Sequence, residues 1–223
     1  MKTLIFGGGG PPIAPDAVAI FTRHLPKDSN ILIASLEREG WQAYMPKYTS
    51  GLMEAGYDNI DFFAVSGPDD SEALTQAIKQ ADALIIGGGD TVKYQQYFAA
   101  DARVARQIKT MYEAGKPIMG FSAGALISPA CCIISPNDNE AQSLLIKEGI
   151  GLLQDVAISV HYTAWQDRDN LSAGMRQTNI TRGFGIDDDA YLLKVGDEYS
   201  CIGSVYVHTE REGRIEVQSM HVK

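Results

Sequence analysis

The sequence has few of the residues from which metal sites and disulfide frameworks are built. Its 223 residues include three cysteines, two of them adjacent, and four histidines that lie far apart along the chain. Neither an H-E-x-x-H segment nor paired cysteine knuckles are present, so the sequence predicts no metal site. Three cysteines do not make a disulfide framework. We expect Cys131 and Cys132 to pack as small buried hydrophobic residues.

Long apolar runs and an excess of positive charge are also lacking. The first apolar stretch, from Met1 to Phe6, runs into four glycines and is too short for a signal peptide, and no later run is long enough to span a bilayer. The formal net charge is -9 at pH 7, whereas a nucleic-acid surface needs clustered lysine and arginine. We therefore expect a cytoplasmic protein that binds neither membranes nor nucleic acids.

The composition that remains suits a globular protein with a sizeable core. Hydrophobic residues make up 45% of the chain and charged residues 21%. A chain of this length is most consistent with one domain, spanning residues 1–223. The sequence leaves the oligomeric state open, a homodimer included.

Short apolar runs alternate with segments suited to helices through the first half of the chain. Five of these runs are predicted to be strands, the first of them buried: residues 3–6, 30–35, 60–65, 82–86 and 118–121. Strand alternating with helix predicts right-handed βαβ units and a mostly parallel, doubly wound sheet between two layers of helices. Residues 155–160 form a further predicted strand. The tail from Glu198 to Val222 alternates like antiparallel strands, which we expect to extend the sheet at its edge.

Two glycine runs follow predicted strands, and neither matches a nucleotide-binding motif. After Gly7 to Gly10, a dinucleotide fingerprint would require glycine at position 12, which is Pro12 and has no backbone N–H. The run from Gly87 to Gly89 lacks the spacing and the lysine of a phosphate-binding loop. The sequence therefore predicts no organic cofactor.

A third glycine-rich segment, Gly120-Phe121-Ser122-Ala123-Gly124, has the G-x-S-x-G spacing of a nucleophile elbow. A serine on a tight strand-to-helix turn has a strained backbone, and a side chain two residues before or after it would collide with the turn. The helix that follows directs free N–H groups toward the serine, where they can stabilise an oxyanion. A glycine-rich turn with an incidental serine is the alternative explanation of the pattern.

A serine nucleophile needs an imidazole to take its proton and a carboxylate to orient that imidazole. His161 lies at the end of the predicted strand 155–160, and an acid is available among residues 187–189. The carboxyl ends of strands in such a sheet meet at one crevice, where these residues would come together. An esterase of the α/β-hydrolase class would instead have its triad in the chain order serine, acid, histidine, which Ser122, Asp187 and His208 would fit. His208 is the weaker candidate, because we expect it to face water on an edge strand.

The tetrahedral intermediate requires two hydrogen-bond donors for its oxyanion. The backbone N–H of Ala123 is the natural first donor. A glycine N–H from the neighbouring strand end, Gly88 or Gly89, is the predicted second.

Taken together, these segments resemble the dipeptidase E and cyanophycinase family of serine peptidases, over essentially the whole chain. The resemblance rests on four motifs in order: residues 87–91, 120–125, 161–162 and 185–188. It implies a fold similar to that of class I glutamine amidotransferases, with serine in place of their cysteine at the elbow. It also implies Ser122 as nucleophile and His161 as general base, with Asp188 as the acid, where relatives often have glutamate. Aspartate is one methylene shorter, so Asp187 is kept as an alternative.

The resemblance also suggests how a substrate would be held. Dipeptidase E-like enzymes have an aspartate in the loop after the nucleophile helix, and Asp138 looks like its counterpart. They prefer peptides with an N-terminal aspartate, and Arg168 is the candidate that would pair with that carboxylate. The arginine segment departs from that of either subgroup. The expected function is therefore cleavage of short peptides, with a cyanophycinase-like peptidase or a non-catalytic binding protein of the same fold as alternatives.

Overall fold

The computed structural model describes residues 1–220. Its strands are β1 Thr3–Gly7, β2 Ile31–Leu36, β3 Ile60–Val65, β4 Ala83–Ile86, β5 Ile118–Phe121, β6 Cys131–Ile134, β7 Leu145–Glu148, β8 Val156–Val160, β9 Arg182–Ile186, β10 Tyr191–Val195, β11 Glu198–Ile202, β12 Val205–Arg211 and β13 Arg214–Met220. Its α-helices are α1 Pro15–Thr22, α2 Trp41–Tyr44, α3 Pro46–Glu54, α4 Ser71–Gln80, α5 Thr91–Tyr94, α6 Ala102–Glu113, α7 Ala123–Leu126 and α8 Arg168–Thr178. Within these residues, no helix is long and apolar enough to cross a membrane.

The central element is a seven-stranded sheet with the order β11-β10-β1-β5-β4-β2-β3. Strands β1 to β5 pair in parallel, and β10 and β11 add antiparallel strands next to β1. The predicted mostly parallel α/β fold with antiparallel edge strands is therefore confirmed. The parallel order brings the carboxyl ends of β1, β5, β4 and β2 side by side along one edge of the sheet.

Alternation along the buried strands divides the core between the two faces of this sheet. Leu4 and Phe6 pack on one face with residues of α4 and α6, whereas Ile5 packs on the other with residues of α1 and α3. The same division recurs along β2 and β4. Because both faces are covered, these strands are almost wholly apolar, as expected for a parallel sheet between helical layers.

Four strands from the second half of the chain form a separate sheet with the order β13-β12-β9-β8. The expectation that the whole tail extends the main sheet is therefore wrong in part: β11 does so, but β12 and β13 pair with β9 instead. Residues of β8, β9 and β12 share one apolar core with the main sheet. The last residues of the predicted tail, 221–222, lie outside the described part of the chain.

Candidate active site

Ser122 occupies the sharp turn between β5 and α7, with backbone angles φ 47 and ψ −109. A side chain at Gly120 would place its Cβ 2.5 Å from the carbonyl oxygen of Gly124. One at Gly124 would lie 2.5 Å from the carbonyl oxygen of Ile86. The predicted steric reason for the glycines that frame the serine is confirmed, because neither backbone contact leaves room for a methyl group.

Three side chains form a hydrogen-bonded series that begins at this turn. The Oγ of Ser122 lies 3.0 Å from Nε2 of His161. Nδ1 of the same ring contacts Oδ1 of Asp188. With the Nδ1 proton donated to the carboxylate, Nε2 is free to accept the proton of the serine hydroxyl. The order of groups matches what nucleophilic catalysis by serine requires.

Asp187 has a different set of partners from its neighbour Asp188. Its Oδ1 accepts hydrogen bonds from the backbone N–H of Thr163 at 3.0 Å and from the Thr163 hydroxyl at 2.8 Å. These bonds fix the loop that follows His161. The structure thus brings Asp188, of the two adjacent carboxylates, to the imidazole.

The glycine run after β1 packs directly beneath the loop that carries these two acids. A Cβ at Gly8 would lie 2.2 Å from the carbonyl oxygen of Asp187, and one at Gly9 would lie 2.4 Å from that of Asp188. The carbonyl of Gly8 also accepts a hydrogen bond from the backbone N–H of His161 at 3.3 Å. Sequence reasoning tested this run only as a nucleotide-binding loop, and its role in close backbone packing was missed.

The proposed oxyanion donors surround the serine. The N–H of Ala123 is the first of α7, where the N–H groups have no acceptor within the helix. Gly88 touches the serine, since a Cβ on it would lie 3.1 Å from Cβ of Ser122. The N–H of Gly88 donates to the hydroxyl of Tyr48 at 3.4 Å. Gly89 follows with φ 154, a conformation that side chains disfavour.

An open cleft of about 280 Å³ lies over the serine. It is lined by Gly10, Arg38, Tyr44, Tyr48, Gly88, Gly89, Ser122, Asp138, His161 and Trp165. This volume is just below the range of about 300–1,000 Å³ that is usual for ligand pockets, so the cleft suits a small ligand. A cavity of about 320 Å³ at the opposite ends of β1 and β5 contains none of the predicted catalytic residues.

Asp138 faces this cleft from the loop between β6 and β7. Its carboxylate accepts a hydrogen bond from the hydroxyl of Thr91 at 2.6 Å. Burial raises the pKa of Asp138 to about 6, despite the opposing effect of that hydrogen bond. Among the salt bridges of residues 1–220, none involves Asp138. The carboxylate therefore faces the cleft without a salt-bridge partner among the described residues.

The structure does not bring Arg168 to the cleft, which corrects the predicted substrate contact. Arg168 is an exposed residue at the start of α8 and is absent from the cleft lining. The arginine that lines the cleft is Arg38, in the loop after β2, with its guanidinium 4.8 Å from the centre of the Tyr44 ring. No motif marks Arg38, and its position after a predicted strand was the only available signal.

Trp165 is a second cleft residue that sequence reasoning missed. Its ring centre lies 4.4 Å from that of His161, and its backbone N–H donates to the His161 carbonyl at 2.8 Å. The indole therefore limits the movement of the imidazole.

His208 is fully buried, so the expectation that it faces water is wrong. Its Nε2 lies 2.7 Å from the hydroxyl of Tyr162, and its Nδ1 lies 3.1 Å from the hydroxyl of Ser172. Burial lowers the pKa of His208 to about 4, which keeps the ring neutral. Because His161 occupies the position beside Ser122, the geometry does not support an esterase that uses His208.

A serine, an imidazole and a carboxylate in series at a strand-to-helix turn of an α/β sheet are typical of serine hydrolases. Comparison with known proteins narrows this class. The model of peptidase family S51 matches residues 31–202, and the chain belongs to that family. It is accordingly a serine peptidase of the dipeptidase E type, which confirms the family resemblance seen in the motifs.

Individual relatives agree with this assignment. The chain is 28% identical over 173 residues to peptidase E of Shewanella amazonensis. The aligned region covers 74% of this chain and 69% of that protein. A solved peptidase from an acI-B1 Actinobacterium superposes with a TM-score of 0.72 at 17% identity, covering 99% of this chain and 95% of that one. A candidate peptidase E protein from Listeria monocytogenes EGD-e gives a TM-score of 0.64 at 16% identity. The superposition covers 91% of this chain and 98% of that one. At these identities, the solved structures support the fold alone.

Proposed function

We propose that the protein cleaves short peptides through an acyl-enzyme formed on Ser122. The observation that carries the proposal is the 3.0 Å contact between the serine Oγ and Nε2 of His161, with Asp188 at the other ring nitrogen. His161 takes the hydroxyl proton as Oγ attacks the scissile carbonyl carbon. Asp188 holds the ring in the required tautomer and stabilises its cationic form.

The remaining steps return the enzyme to its starting state. The tetrahedral intermediate collapses as His161 gives its proton to the leaving amine, and the C–N bond breaks. A water molecule then loses a proton to His161 and attacks the ester carbonyl, which releases the new carboxyl group and restores the serine hydroxyl. The backbone N–H of Ala123, with a second donor beside the Gly88 and Gly89 turn, would stabilise the oxyanion in both halves of the reaction.

The cleft favours a short substrate with a free amino group. Its volume of about 280 Å³ suits a dipeptide better than a polymer. Asp138 would bind the substrate ammonium, because its carboxylate faces the cleft without a cationic partner in residues 1–220. This single contact would direct cleavage to the N-terminal residue.

We further propose that the enzyme prefers an N-terminal aspartate. The residue proposed to bind the aspartate side chain is now Arg38 rather than Arg168. Arg38 follows β2 and Gly88 follows β4, on one side of β5 and its serine, whereas His161 hydrogen-bonds to Gly8 after β1 on the other side. The leaving amine must lie near His161, so the acyl residue extends the other way. Arg38 would pair with an acidic side chain on that residue.

Covalent labelling tests the function directly. Wild-type protein should react with a fluorophosphonate and hydrolyse dipeptides, whereas Ser122→Ala should do neither. Ser143→Ala, at an exposed serine outside the cleft lining, is the matched control and should behave as the wild type. A non-catalytic binding protein would leave the wild type unlabelled, and turnover by Ser122→Ala would contradict the mechanism.

A further inference from the structure

Tyr48 lies in α3, two residues from its start, and its side chain reaches the glycine turn beside the nucleophile. The residue is 3% exposed, and its ring packs edge-on against Phe121 with 5.5 Å between ring centres. Its hydroxyl accepts the hydrogen bond from the N–H of Gly88 at 3.4 Å. Tyr48 thus contacts both the residue before Ser122 and the turn next to it.

A second buried tyrosine binds the same glycine from the other side. The hydroxyl of Tyr94 donates to the carbonyl of Gly88 at 3.3 Å and accepts from the N–H of Leu36 at 3.3 Å. Both hydrogen-bonding roles of that hydroxyl are therefore used within the protein. The hydroxyl of Tyr48 differs: it belongs to a residue that lines the cleft, and within residues 1–220 it donates its own proton to no side chain or backbone group.

This difference changes which group can serve as the second oxyanion donor. The N–H of Gly88 is directed at the oxygen of Tyr48 at 3.4 Å, so a substrate carbonyl would compete with that oxygen for it. The hydroxyl that receives it has one unused proton and belongs to a residue of the cleft wall. Gly88 lies against the serine side chain, which places that wall next to the reacting carbon.

We propose that Tyr48 is a catalytic residue whose hydroxyl donates a hydrogen bond to the oxyanion of the tetrahedral intermediate, relayed from the N–H of Gly88. The inference rests on the function proposed above. The oxyanion would then receive two hydrogen bonds, one from the N–H of Ala123 and one from the phenol. The phenol proton is not transferred in this step, since the hydroxyl remains a hydrogen-bond donor throughout.

The surroundings of Tyr48 suit a neutral donor held in place before the reaction. Burial raises the pKa of Tyr48 to about 12, so the hydroxyl keeps its proton at neutral pH. A hydroxyl that accepts a hydrogen bond is also a stronger donor, because such bonds polarise one another. The ring packs edge-on against both Phe121 and Tyr44, so little reorganisation accompanies the reaction.

The test compares two substitutions that each remove a single oxygen. Tyr48→Phe and Tyr94→Phe keep both rings and each delete one hydrogen bond to Gly88. We expect Tyr48→Phe to slow inactivation by a fluorophosphonate, and to lower kcat on a dipeptide, by about 10²-fold with little change in KM. Tyr94→Phe should change either rate by only a few-fold. Thermal unfolding of both variants verifies that they are folded.

Each other outcome has a distinct meaning. Reaction of Tyr48→Phe at the wild-type rate would overturn the role of the phenol. Equal slowing in the two variants would also overturn it, since the hydroxyls would then act only by holding the glycine turn. Failure of the wild type itself to react would reject the proposed function, and it is distinguishable because no variant is needed to see it.

Discussion

Asp187 and Asp188 are adjacent in the chain, yet their carboxylates hold different parts of the site. Asp188 contacts the imidazole of His161, while Asp187 accepts two hydrogen bonds from Thr163. One therefore orients the ring, and the other fixes the loop that carries the ring. The geometry separates two residues that the sequence left as alternatives.

Substituting each acid should reveal this division of tasks. Asp188→Asn should lower kcat by about 10³- to 10⁴-fold, because an amide can stabilise the wrong imidazole tautomer. Asp187→Asn should cost less than about 10-fold, since an amide oxygen still accepts from the N–H of Thr163. Steady-state hydrolysis of one dipeptide by both variants measures the difference. A larger loss in Asp187→Asn would reverse the assignment.

Asp138 should make substrate binding depend on pH. Burial raises its pKa to about 6, so the carboxylate is ionised above that pH and becomes neutral below it. We expect KM for a dipeptide to rise as the pH falls through about 6, because the ammonium loses its partner. Asp138→Asn should raise KM at pH 7.5 and remove this dependence. An N-acetylated dipeptide, which has no ammonium, is the control, and the same step in its KM would exclude this role.

Substitutions of Arg38 and of Arg168 should affect the hydrolysis of acidic substrates differently. Arg38→Gln should lower kcat/KM for a dipeptide with N-terminal aspartate by about 10- to 100-fold, the loss of one charge-assisted hydrogen bond. It should leave an N-terminal alanine substrate nearly unchanged. Arg168→Gln should affect neither, because the residue does not line the cleft. The reverse pattern would return the acidic subsite to Arg168.

His208 should contribute to the loss of stability in acid. Its pKa is about 4 in the folded protein and about 6.5 when unfolded, so the unfolded state binds more protons between these values. This contribution is fully present above pH 6.5 and falls by up to about 1.4 kcal/mol per pH unit toward pH 4. Chemical unfolding at several pH values should show a shallower decline for His208→Gln. His24→Gln, at an exposed histidine, should match the wild type.

The central sheet and the nucleophile turn were predictable because their causes are local. Short apolar runs that alternate with helical segments are typical of a parallel sheet between two helical layers, and β1 to β5 lie close to where this pattern predicts them. The glycines around Ser122 are required by contacts within a few residues of the turn and with the adjacent strand. Both the apolar strands and the glycines of the turn can therefore be recognised from their spacing in the sequence.

The pairing of the later strands could not be read in the same way. Alternation predicts a strand but does not name its partner, so β12 and β13 were assigned to the wrong sheet. The polar segment after His161 also hides α8, whose buried side chains Leu171 and Met175 cover β9. His208 is buried beneath that helix, and its exposure was misjudged because the helix was not foreseen.

The cleft residues Arg38, Tyr48 and Trp165 had no motif to mark them. Each lines the cleft over the serine from a segment whose position depends on the packing of the whole sheet edge. Arg168 was chosen instead because it is close to His161 in sequence. Arg168 begins helix α8 and does not line the cleft, so its closeness to His161 in sequence does not bring its side chain to the site.

The contact of the first glycine run with the acid loop joins two segments that lie about 180 residues apart in the sequence. Strand β10 lies against β1, so residues near 190 complete a structure begun at residue 3. During synthesis the nucleophile turn emerges long before the carboxylate that it needs. A nascent chain on the ribosome therefore carries its serine without a working partner until the segment that contains Asp188 has also been synthesised.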